Sequence, residues 1–168
     1  SLFARIYSKP KNKYILSTKL PFCSLISVTE KKKEFYKFEN YWIKKKDVVP
    51  ISYKKQTFKN IIIFKGIPYK WGGKTYKGID CSALVQIFFK FNNQYCPRDT
   101  KDQIKYFKKV NKIKKNAIIF WKGHVAVCLS KKNLIHAYGP KKKVLIMNIN
   151  KTLKLIEKTA KLKVIGIR

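Results

Sequence analysis

Arginine is nearly missing from a very basic chain. Only Arg5, Arg98 and Arg168 stand beside the lysines among 40 basic residues, against 8 acidic ones, for a formal net charge of +32 in 168 residues. Nucleic-acid readers favour Arg, whose planar fork grips phosphates and bases, so no specific nucleic-acid role is expected. The lysine surplus attracts anionic partners without specificity and suits an anionic substrate. Long apolar runs are missing too. The longest of note, Ile61-Ile62-Ile63-Phe64, falls far short of the roughly 20 residues that span a bilayer, which excludes a membrane helix. No signal-peptide core is visible, and the opening on Ser1 rather than Met leaves export undecided. Cys23, Cys81, Cys96 and Cys128 form no CxxC pair and no zinc spacing, so no metal and no other cofactor is expected.

What is present is globular in kind. A hydrophobic share of 45%, with 14% aromatic, lets the chain bury roughly two thirds of its unfolded surface. Residues 1–54 read as short strands between turns: Ala4 to Tyr7, Ser24 to Val28, Phe35 to Phe38 and Tyr41 to Ile43. Tyr36/Phe38 and Tyr41/Ile43 follow a period of two, as half-buried strands do, and a small β-barrel fits them. Lys31-Lys32-Lys33 and Lys44-Lys45-Lys46 belong to loops or the solvent side. Pro50 and the polar stretch Ser52 to Gln56 mark a boundary, with a second domain over 55–168.

Beyond the boundary the period changes. Phe58, Ile61, Ile62 and Lys65 fall at helical spacing, ended by Gly66 and Pro68. A second helix carries Cys81, Leu84, Val85 and Phe88 on one face after Asp80. A third is expected to begin with a capping box, Thr100-Lys101-Asp102-Gln103, with Ile104 and Phe107 inward. Strands follow at Ala117 to Trp121, His124 to Leu129, Asn133 to Tyr138 and Val144 to Ile149, then a helix at Lys151 to Lys158 and a strand at Val164 to Ile167. Helices followed by an antiparallel sheet make an α+β domain.

Cys81 falls in the first turn of its helix, where unpaired N–H groups and the positive end of the macrodipole stabilise a thiolate. His124 and His136 are the only histidines, both on strands downstream. Cys, His, His in that order is a candidate nucleophile, base and orienting group. Parity sharpens this. A three-residue loop, Ser130-Lys131-Lys132, sets His136 opposite Ala126 and diagonal to His124, so the imidazoles become neighbours; a two-residue loop would put them on opposite faces. Residue types alone leave two readings of Cys81 open, a nucleophile and a small buried side chain.

The flanking sequence weighs in. Gly66-Ile67-Pro68-Tyr69-Lys70-Trp71-Gly72-Gly73 and Gly78-Ile79-Asp80-Cys81-Ser82-Ala83-Leu84-Val85-Gln86 closely resemble the signature of the NlpC-type cell-wall cysteine peptidases, whose catalytic domain is papain-like. Cys96-Pro97-Arg98-Asp99-Thr100, Phe120-Trp121-Lys122-Gly123-His124-Val125 and Leu134-Ile135-His136-Ala137 match later blocks in order and spacing. Residues 1–54 resemble the bacterial SH3-like domain that often precedes this domain. The resemblance makes Cys81 the nucleophile, His124 the general base, His136 its orienting group and Tyr69 an oxyanion support. It places Asp80, Ser82 and Thr100 along the substrate pocket, although Asp80 and Thr100 also read as helix caps and Tyr69 as a packed aromatic.

It further implies hydrolysis of peptidoglycan stem peptides, at the amide between γ-D-glutamate and a diamino acid; the lack of a visible export signal together with the two-domain layout favours cytoplasmic recycling of wall peptides as the setting. The rival reading is an inert module that binds wall peptide or anionic polymer. Ala83 stands where Gly is usual, and Ala117 where an Asp commonly opens the strand. Ser24 stands where two-domain relatives carry a glutamate for the substrate's free amine, so that recognition is weakened or moved to Glu30 or Glu39.

Overall fold

A computed structural model describes residues 1–53 and 57–168, and the chain divides into two compact units, Ser1–Lys54 and Lys55–Arg168. Residues 54–56, which include the expected border and the end of the polar stretch, lie outside the described residues.

The first unit is built on strands β1 (Phe3–Tyr7), β2 (Ile15–Pro21), β3 (Glu30–Lys32), β4 (Phe35–Phe38) and β5 (Tyr41–Lys44). They form one antiparallel sheet in the order β2-β1-β5-β4-β3. Apolar side chains pack on both of its faces. Ile6, Phe38 and Ile43 make one cluster, with Tyr36 against it, while Tyr7, Phe35 and Trp42 make the other. Tyr41, on the face of Ile43, is 38% exposed, its ring 6.0 Å from that of Phe38. The strand expected at Ser24 to Val28 does not form. Cys23 adopts a left-handed backbone at φ 67, and the Ser24 hydroxyl donates to the Pro21 carbonyl, which turns the chain.

The second unit opens with a single 3-10 turn, Ile61–Phe64, where the spacing suggested a longer helix. The small ladder β6 (Lys74–Thr75) and β7 (Gly78–Ile79) leads into helix α1 (Cys81–Phe91), followed by α2 (Thr100–Tyr106). A meander then runs through β8 (Ile118–Trp121), β9 (His124–Cys128), β10 (Asn133–Tyr138) and β11 (Lys143–Asn148) to α3 (Ile149–Ala160) and β12 (Val164–Ile167). The sheet order is β11-β10-β9-β8-β12, all antiparallel, as an α+β domain requires.

Strands β8 to β10 are buried at nearly every position, so both faces of the sheet are covered. Helix α1 packs on β9 and β10, and α3 packs on β11. Ile149 and Ile156 of α3 join Ile119, Trp121, Ala126, Cys128 and Leu134 in one core. The capping box at Thr100 is not made. Asp99 is the N-cap and Thr100 the first helical residue; Gln103 is buried instead, its amide nitrogen donating to the carbonyls of Ser82 and Pro97 at 2.9 Å each. This ties α2 to the start of α1 through two buried carbonyls. Among the described residues no helix is long and apolar enough to cross a membrane.

Candidate active site

The loop before α1 is drawn tight. A Cβ at Gly73 would collide with the carbonyl oxygens of Gly78 and Lys70, so only Gly fits there. Asp80 then caps α1, accepting from the Ala83 N–H at 2.8 Å through Oδ1 and from the Gly72 N–H at 2.9 Å through Oδ2. Arg98 closes on the same carboxylate with both nitrogens, at 3.0 and 2.5 Å, and donates to the Ser82 hydroxyl at 2.8 Å. Ser82 in turn donates to Asp80 Oδ1 at 3.2 Å. Asp80 and Ser82 are each 6% exposed, and the carboxylate beside it holds the Arg98 guanidinium protonated still more firmly. This network fixes the helix start and neutralises the acid nearest the thiol.

Cys81 is the first residue of α1 and is 6% exposed. Its sulfur lies 4.0 Å from the Gly123 carbonyl and within hydrogen-bonding reach of the Val125 N–H, the residues on either side of His124. Burial pushes the thiol up to about 11, and the Asp80 charge pushes the same way. The N–H groups of Val125, Ser82 and Cys81 itself pull it down, but by less. Desolvation thus opposes the thiolate that the helix terminus and these N–H groups favour. Cys128 is also pushed to about 11 and Cys96 to about 12 by burial, so acidity does not single Cys81 out. Its neighbours do.

His124 follows the turn Lys122-Gly123, in which Gly123 holds φ at +74, a left-handed backbone that Gly adopts without strain. Pairs Leu134↔Cys128 and Ile135↔Val127 set the register that the three-residue loop predicts, with His136 opposite Ala126. The imidazoles meet: His124 Nε2 lies 2.9 Å from His136 Nδ1. Tyr138 stacks on His136 with ring centres 4.8 Å apart. His136 is fully buried, and its Nε2 lies 3.4 Å from the sulfur of Met147. Burial lowers His124 from its ordinary 6.5 to about 4; burial, then the neighbouring His124, lowers His136 to about 3. Burial thus disfavours the charged form of all three groups.

Tyr69 is half-buried, and its phenol is raised first by burial and next by the Cys81 and Asp80 charges, which places it within electrostatic reach of the thiol. Thr100, by contrast, enters no hydrogen bond with this group among the described residues. Arg98, Met147 and the backbone of Gly123 and Val125 were not singled out from sequence. Arg98 carried a usable signal, as one of three arginines in a chain of lysines. The others become visible only once strands pair.

Residues 66–159 match the NlpC/P60 family, a stretch that holds every group of this site from Tyr69 to Met147. The chain belongs to the NlpC/P60 family. It is 30% identical over 152 residues to a gamma-D-glutamyl-L-lysine dipeptidyl-peptidase of Bacillus subtilis (strain 168), covering 80% of this chain and 51% of that protein. It is 37% identical over 78 residues to a probable endopeptidase NlpC homolog of Haemophilus influenzae, covering 43% of this chain and 42% of that one. The chain thus spans about half the length of the curated relatives it matches. Among solved structures, an NlpC/P60 family protein from Bacillus cereus ATCC 10987 superposes with a TM-score of 0.76 at 25% identity, covering 100% of this chain and 60% of that one. NlpC2 from Trichomonas vaginalis shares the fold, with a TM-score of 0.59 at 18% identity, over 99% of this chain and 69% of that one.

Proposed function

We propose that the protein is a cysteine peptidase that hydrolyses the amide between γ-D-glutamate and a diamino acid in peptidoglycan stem peptides. The observation that carries this reading is the 2.9 Å contact of His124 with His136, on a strand whose flanking residues, Gly123 and Val125, touch the Cys81 thiol. Cys81 is the nucleophile, His124 the base and His136 its orienting group. As the sulfur attacks the carbonyl carbon, its proton passes to His124, and the oxyanion is met by the Cys81 N–H and the Tyr69 hydroxyl. Collapse breaks the C–N bond, with His124 returning the proton to the departing amine. Water, deprotonated by His124, then hydrolyses the thioester.

Because burial disfavours the charged forms of both thiol and imidazole, His124 acts by general-base removal of the proton during attack. Asp80 and Ser82, spent on Arg98 and on each other, serve by holding the helix start, and Tyr69 and Thr100 complete the proposed pocket. The five-stranded first unit is read as SH3-like. Its Ser24 hydroxyl is bound to the Pro21 carbonyl, and Glu30 pairs with Lys37 at 3.6 Å. Relatives named as dipeptidyl-peptidases favour a released peptide, and with it cytoplasmic recycling, over intact wall.

The test is mass spectrometry of L-Ala-γ-D-Glu-meso-diaminopimelate, with and without its free amine, after incubation with the protein. Cleavage by the wild type and none by Cys81→Ala is expected. Undiminished cleavage by Cys81→Ala overturns the proposal, and indifference to the amine overturns the recycling setting.

A further inference from the structure

The chain has one methionine, and its sulfur lies 3.4 Å from the Nε2 of a fully buried histidine. The fold places it there deliberately in register. His136 pairs with Leu145 across the β10–β11 ladder, and Met147, two residues on, shares that face diagonally, within reach for a long unbranched side chain. A thioether has no proton to give and can only accept. The proton between His136 and Met147 therefore sits on Nε2, and a neutral His136 presents a bare Nδ1. That atom lies 2.9 Å from His124 Nε2, so the proton of this second contact belongs to His124 Nε2. One ring nitrogen then remains bare in the pair, His124 Nδ1.

We propose that Met147 is a positioning residue that sets the tautomers of both imidazoles, so that His124 meets the Cys81 proton with an unprotonated Nδ1. Only that last step rests on the peptidase reading. The first two follow from which atoms can donate. A neutral sulfur also differs from a carboxylate in this place: it orients the relay without adding charge that would raise His136. Remove the acceptor and the logic inverts. With Nε2 left unsatisfied in a buried site, His136 gains by carrying its proton on Nδ1, where it donates to His124 Nε2. His124 is then protonated on Nδ1 and closed to the thiol.

Met147→Leu conserves volume and keeps water from replacing the sulfur, whereas Met147→Gln restores an uncharged acceptor at similar reach. Nitrogen-15 NMR of histidine-labelled full-length protein reads the tautomers directly. The wild type is expected to show both rings protonated on Nε2, Met147→Leu to shift both toward Nδ1, and Met147→Gln to return them. In parallel, kcat should fall about tenfold or more in Met147→Leu with KM unchanged, and recover in Met147→Gln. Wild-type His136 protonated on Nδ1 overturns the proposal, as do unchanged tautomers in Met147→Leu. Tautomers that shift as stated in a protein that cleaves no stem peptide would sink the peptidase reading and leave this one standing.

Discussion

The two units hold their ion pairs in opposite ways. In the first, Lys37 and Glu30 stand 3.6 Å apart across two strands, with side chains 39% and 48% exposed. In the second, Arg98 grips Asp80 with two nitrogens while the side chains are 26% and 9% exposed. Lysines of the first unit also lie over aromatic rings, Lys19 on Phe3, Lys44 on Phe35 and Lys45 on Tyr36. There charge is laid on the surface, where water screens it and each contact is weak. The second unit is no less charged, but among its described residues the one buried carboxylate, Asp80, is fully bonded. The lesson is that a chain with 40 basic residues still relies on Arg, not Lys, where a charge must be held in a fixed place.

This contrast can be broken or sharpened by measurement. The largest effects belong to the second unit's site. Cys81→Ala should reduce cleavage to background with the circular-dichroism spectrum unchanged, and His124→Ala should lose about 100-fold or more. His136→Ala should lose less than His124→Ala. The rate of Cys81 alkylation at neutral pH should likewise collapse in His124→Ala, since the thiol at about 11 depends on a base beside it.

Next comes Arg98→Ala, which leaves the Asp80 carboxylate unpaired in a buried setting and should cost about 3 kcal/mol in urea unfolding. Arg98→Lys should recover only part of this, because a point charge cannot bridge both oxygens. Acid should produce a graded effect. His124 and His136 titrate lower in the folded protein than in the unfolded chain, which takes up protons first as pH falls below about 6.5. Their contribution is complete above that value and is lost on descending toward about 4 and about 3, so the urea midpoint should fall across this window, and less so in His124→Ala. Smallest of all, Lys37→Gln should change stability by less than about 1 kcal/mol. A Lys37→Gln penalty equal to that of Arg98→Ala would end the contrast between the units.

Most of the second unit was legible in the sequence, for a physical reason. Strands β8 to β11 and helix α1 are apolar at nearly all the positions that they bury, Ser82 and His136 excepted, and Gly123, Asp80 and the three-residue loop carry local turn and cap chemistry. Strands β2 and β3 were not legible. Three of the seven residues of β2 are at most half-buried and the rest exposed, and β3 is the wholly exposed Glu-Lys-Lys, so neither edge strand carries an apolar alternation. Gln103 mimicked a capping residue because the local pattern is the same whether its amide turns back or reaches into the core. The burial that raises the Cys81 thiol was hidden for a similar reason. A helix start is a local feature, whereas burial depends on how distant segments pack, and the backbone that meets the sulfur, at Gly123 and Val125, lies more than 40 positions away.

The three-residue connection between β9 and β10 has an evolutionary corollary. Since side chains alternate faces along a strand, losing or gaining one residue there would rotate the whole of β10, sending His136 to the opposite side with every reacting group still encoded. Length variants at this hairpin are therefore tolerable only in steps of two, and a single-codon deletion at Lys131 would act as a null allele without altering any residue of the site.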